Sequence, residues 1–146
     1  MKLLPAAERV LLTAWIGGLW AIGYIAAPTL FAILDDRKLA GQLAGQMFHI
    51  INWLGIVSAV LLLLIVLKRY GRVWQLWVLL AMLVFILSNE FVLQPMMADL
   101  KAQGLMEGSE AKSRFGLLHG VSSTAYLLVS IMGLVLVALG LRRPAD

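Results

Sequence analysis

Cysteine is absent from the 146 residues. That absence removes disulfides, thiolate metal sites and cysteine nucleophiles together, and it says nothing about redox compartment. Charge is scarce as well, at 14 % Asp, Glu, Lys and Arg against about 25 % in a typical soluble domain. Histidine occurs twice, as His49 and His119. Also missing are a phosphate-binding glycine loop, a nucleophile elbow and a zinc-protease helix signature, so the common enzyme motifs give no reaction. The net charge of +4 is spread in short clusters at the ends of apolar runs. Membrane topology explains that placement, and nucleic-acid binding is not expected.

What is abundant is apolar sequence, 62 % of the chain. About 20 apolar residues are needed to cross a hydrocarbon core about 30 Å thick. Four segments qualify, at about 10–34, 48–67, 73–93 and 115–141, and only the third holds a formal charge, Glu90. The first is too long for the core of a signal peptide, and Pro28 follows Ala26-Ala27 where cleavage would fall, so it is read as a permanent helix. Pro28 can kink that helix. The expected fold is all-α, an integral membrane four-helix bundle that takes up residues 1–146 as a single domain.

Orientation follows from Lys and Arg in the connections. Lys2, Arg9, Lys68, Arg69, Arg72, Arg142 and Arg143 lie on one side; Arg37, Lys38, Lys101, Lys112 and Arg114 lie on the other, accompanied by five acids. The bias places both termini in the cytoplasm of a bacterial inner membrane. Trp74 and Trp77 suit the aromatic belt at that interface. Across the bundle, Asp35–Lys38 leads into a Leu-Ala-Gly-Gln unit that occurs twice, expected to be a helical run-up to the second span. Gly41 and Gly45 within it form a small-xxx-small pair. Ser109 can cap a helix feeding the fourth span, and Gly104 and Gly108 mark the loop before it. No large internal repeat is evident.

Counting depth at about 1.5 Å per residue puts Pro28, His49, Glu90 and His119 at one level, roughly 25–33 Å along their helices. Asn52, Asn89, Gln94, Ser122 and Ser123 fall within about a turn of it. His49 with Asn52, Glu90 with Gln94, and His119 with Ser122/Ser123, Tyr126, Ser130 and Gly133 each make a stripe at helical spacing. Polar stripes on membrane helices turn toward the bundle, because lipid offers no hydrogen-bond partner. Tyr24, one turn before Pro28, would complete the lining. The candidate site is therefore His49, Asn52, Asn89, Glu90, Gln94, His119 and Ser123. His49 and His119 are the candidate ligands for a transition metal or haem iron. The same groups suit proton relay, and the plainer alternative is that they satisfy one another at the membrane surface. The Ser/Tyr stripe of the fourth span reads as helix-packing glue, and Met96-Met97 as apolar surface.

Trp15-Ile16-Gly17-Gly18-Leu19 followed by Pro28-Thr29-Leu30-Phe31 resembles a family of bacterial membrane domains of unknown function, which also looks related to the eukaryotic transmembrane protein 205. Phe48-His49, Asn89-Glu90-Phe91 with Gln94-Pro95, and Phe115–Gly120 are consistent with it. More distantly the pattern looks like the copper-resistance-D-type membrane proteins and the small four-helix bacterial protoporphyrinogen oxidase. That oxidase carries a haem-ligating histidine early in its first helix, where this chain reads Ala7-Glu8-Arg9-Val10. The resemblance implies a four-helix inner-membrane protein. Three classes of function remain: a protein binding or transporting a small ligand, a structural or assembly subunit with a membrane partner or a second copy, and a haem-dependent redox enzyme.

Overall fold

The computed structural model describes residues 3–141. Lys2, Arg142 and Arg143, three of the cations behind the orientation argument, lie outside the described residues. Four helices, Leu3–Ile33, Arg37–Tyr70, Trp74–Gln103 and Glu110–Leu139, are long and apolar enough to cross a membrane. No strand occurs among the described residues. The second helix packs between the first and third, and the fourth closes the ring by packing on both of those. Most of each apolar stretch faces outward, with no more than 39 % of any span's most apolar window buried. Apolar residues turned outward on all sides are what lipid, and not water, accommodates.

The second helix runs past its expected span at both ends, the third past its far end, and the first and fourth begin ahead of theirs. Asp36 accepts hydrogen bonds from the backbone N–H groups of Lys38 and Leu39 (2.8 and 3.1 Å), so the second helix begins at Arg37 and the run-up is continuous with the span. Ser109 caps the fourth helix in the same way through the N–H of Lys112 at 3.1 Å. Gly71, at φ 74°, makes the tight turn between the second and third helices, and its N–H closes onto the Val66 carbonyl. A side chain there would be strained.

The third helix does not stop before Pro95. A π-helical turn at Asn89–Leu93 absorbs that proline, and a matching one at Ile22–Ala26 absorbs Pro28. Each turn begins six residues before its proline, and each proline sits in the first turn of the resumed α-helix. Proline has no N–H, and its ring collides with the carbonyl one turn back; the wider π turn moves that carbonyl aside. The first and third helices thus share a local design, at the same end of the bundle, that residue-type repetition does not reveal.

The core explains the Trp-Ile-Gly-Gly-Leu run as packing. Trp15 is fully buried against Gly55, where an added Cβ would lie 2.7 Å from the indole nitrogen. Ile16 fills the notch at Gly133, and Gly18 receives Ile51 from the second helix. Gly17 has nothing within 4 Å and points away. Small residues let backbones approach, which supplies the van der Waals contact that holds helices together in lipid. Toward the termini, Leu62, Val66, Leu79 and Leu136 fill the centre completely.

Candidate functional site

The polar residues gather where the π turn interrupts the third helix. Asn89 and Glu90 are consecutive and both buried, and they serve different neighbours. Glu90 turns to the second helix: its Oε1 pairs with Nδ1 of His49, and its Oε2 accepts from the Asn52 amide at 2.9 Å. His49 and Asn52 are one turn apart, so a single helix face clamps both carboxylate oxygens. Asn89 turns the other way, its Oδ1 accepting from the Ser122 hydroxyl of the fourth helix at 2.5 Å.

Burial within this group is uneven. The Glu90 side chain is 7 % exposed and the His49 side chain 54 %. An intramembrane carboxylate is expensive unless it is paired and hydrogen-bonded, and both conditions hold here. With Nδ1 committed to Glu90, Nε2 is the imidazole nitrogen left for another partner. Trp53 stands beside it, ring centroids 6.3 Å apart, and Phe91 lies edge-on to Trp53 at 6.0 Å. An imidazole oriented by a carboxylate through one nitrogen is the arrangement that prepares the other for a metal or a proton.

Other expected members fall elsewhere. His119 is exposed on the fourth helix and stacks on Phe115 of the same helix, centroids 6.0 Å apart. Ser123 is exposed, and Gln94 is half-buried where the α-helix resumes. Among the described residues no group of three His, Asp or Glu side chains is placed to hold a metal ion. Tyr24 does join the interior, by a separate route: its hydroxyl donates to Ser130 at 2.9 Å, and Ser130 donates to the Tyr126 carbonyl at 2.7 Å. Tyr126 in turn bonds the Leu19 carbonyl. These hydroxyls stitch the first helix to the fourth.

A second buried acid was not singled out from sequence. Glu8, 7 % exposed, accepts from Arg69 at 2.6 Å and from the Tyr70 hydroxyl at 3.2 Å, tying the start of the first helix to the end of the second. Glu8 lies two residues ahead of the apolar limit of the first span. The signal that would have found it is the mutual position of Glu8 and the Lys68-Arg69-Tyr70 cluster at one end of an antiparallel helix pair.

Residues 10–105 match the family described as Domain of unknown function (DUF4149). The chain belongs to the DUF4149 family. No match was found among curated proteins or among solved structures. The stretch that defines DUF4149 here contains His49, Asn52, Asn89 and Glu90, and it ends ahead of the fourth helix with its Ser122 and His119. The carboxylate and its two partners are therefore part of the family segment, while the Asn89–Ser122 contact reaches outside it.

Proposed function

We propose that this DUF4149 chain is a multi-pass protein of the bacterial inner membrane, with both termini cytoplasmic, that binds a small ligand at His49 near the outer face. The orientation rests on the cationic turn Lys68–Arg72, at the end where the first helix begins and the fourth ends, against the acid-balanced cations around residues 35–38 and 99–114. The ligand reading rests on one observation: Glu90 holds Nδ1 of an imidazole that is itself half-exposed. A transition-metal ion, or haem iron lying against the Trp53–Phe91 wall, is the class of ligand that such a nitrogen takes. The fit is partial by construction. This chain supplies one nitrogen to such a centre, since His119 stacks on Phe115 and takes no part in the cluster. The redox-enzyme reading loses support at the other end of the bundle, where the region matching the early haem ligand reads Ala7-Glu8-Arg9-Val10 and its Glu8 is engaged with Arg69.

Absorption spectroscopy with metal analysis on protein purified from its native host tests the reading. The wild type is expected to carry metal or haem in stoichiometric amount, His49→Ala to lose it, and His119→Ala to keep it. Colourless, metal-free wild-type protein overturns the proposal.

An assembly role is favoured by a different observation. Gly23, Gly55 and Gly133 are filled by side chains from within the bundle, whereas Gly17, Gly45, Gly116 and Gly120 have nothing within 4 Å of an added Cβ. Those four are notches unused by the bundle, open to a helix of another subunit. Gly45→Leu is expected to abolish recovery of a partner in native pull-down under mild detergent while leaving the thermal transition of the bundle in place. Wild-type protein that runs alone under the same conditions removes this reading.

A further inference from the structure

A small cavity of about 10 Å³ lies between the helices and shares Asn52 with the His49–Glu90–Asn52 group. Its walls include Leu19, Ile86, Ala125 and Val129, and its polar lining comes from Asn52, Asn89 and Tyr126. Both asparagines are at least nine-tenths buried. Each uses one end of its amide elsewhere. Asn52 spends its Nδ2 on Glu90, and Asn89 spends its Oδ1 on Ser122. The remaining ends, Oδ1 of Asn52 and Nδ2 of Asn89, are left for another partner.

We infer that this cavity is the site of a single bound water molecule that bridges Asn52 to Asn89. The volume is at the threshold for one water, about 10–15 Å³. The chemistry selects a neutral species that both donates and accepts. Water accepts from Asn89 Nδ2 and donates to Asn52 Oδ1. Its second hydrogen goes to Tyr126 Oη, whose own proton is committed to the Leu19 carbonyl. That completes about three bonds, the usual number for buried water. A bare cation is disfavoured, because the cavity lining holds no carboxylate and one of its two free amide ends is a donor. The water makes one continuous chain, Ser122–Asn89–water–Asn52–Glu90–His49. The fourth helix is thereby joined to the exposed imidazole through the second and third.

The test is water-to-amide magnetisation transfer by NMR on the full chain in nanodiscs, with asparagine side chains labelled with nitrogen-15. It reads the same whether or not His49 carries a ligand, so its failure is separate from failure of the metal reading. Long-lived water contacts are expected at both the Asn52 and Asn89 amides. Ala125→Leu, which fills the cavity from its apolar wall and removes no polar group, is expected to abolish both, while Glu90→Gln leaves them. Absence of a water contact at either amide in the wild type overturns the bridge, and that measurement needs no variant to fold. Contacts that persist unchanged in Ala125→Leu overturn it equally.

Discussion

Trp15→Ala is expected to lower the stability of the bundle by about 2–3 kcal/mol. The side chain is fully buried, and it rests on Gly55, which has no side chain of its own. In a membrane the helices stay in lipid when they separate, so the water-to-oil transfer gain that dominates in soluble proteins is largely missing. What remains is the lost packing. A hole on the order of 100 Å³ at about 24 cal/mol per Å³ gives the figure above. Gly55 cannot swing inward to fill the hole, so relaxation is small. Trp15→Phe tests the same site with less volume removed. It also deletes an indole N–H that is buried without a partner, a group whose desolvation costs about 1–3 kcal/mol. The phenylalanine variant is therefore expected to lie within about 1 kcal/mol of the wild type, offsetting lost contact against a removed orphan. Reversible unfolding in mixed detergent measures both. Equal losses for Ala and Phe would show that the indole nitrogen, and not the volume, is what the site needs.

How far the sequence carries can be read from the same residues. Four apolar runs were legible because a membrane demands about 20 uncharged residues in a row, a signal stronger than any periodicity. The His49–Asn52 pair and its meeting with Glu90 were legible because depth follows directly from counting at a fixed rise. Azimuth does not follow in the same way. Glu90 and Gln94 are four apart and belong on one helix face, yet the carboxylate meets only His49 and Asn52, and Gln94 sits half-buried where the α-helix resumes after the π turn Asn89–Leu93. His119 fails for a different reason. The inward line of the fourth helix runs through Phe115, Leu118, Ser122, Tyr126, Val129, Gly133 and Leu136, all half-buried or buried. His119 is next to Leu118, about 100° around the helix, and so faces out. Choosing between adjacent lines needs the neighbouring helices, which a polarity pattern does not contain. The glycines carry the same lesson: Gly17 and Gly18 are adjacent and chemically identical, but Ile51 reaches only Gly18.

The second large effect concerns Glu90 and separates stability from binding. Asn52→Leu removes the donor to Oε2 and leaves a nearly buried carboxylate oxygen unmet, with an expected loss of about 1.5–3 kcal/mol, the range for a hydrogen bond to a charged group. Glu90→Leu alone orphans the Asn52 amide instead, and costs about 1–3 kcal/mol. The double variant Asn52→Leu with Glu90→Leu removes donor and acceptor together. Apolar replacement of both partners is often close to neutral, so the double change is expected to recover most of either single loss. A coupling energy of about 0.5–3 kcal/mol in the double-mutant cycle is the readout; simple additivity would mean that the two side chains do not meet. Ligand binding is expected to diverge from this recovery. In the double variant His49 keeps its ring but loses the carboxylate that fixes Nδ1, and such partners are worth about 10–100-fold in metal affinity. A protein that regains its stability and still binds metal or haem about 10–100-fold more weakly assigns Glu90 the orienting role. If affinity returned together with stability, Glu90 would be a helix-packing group, and the exposed imidazole would be left to act without it.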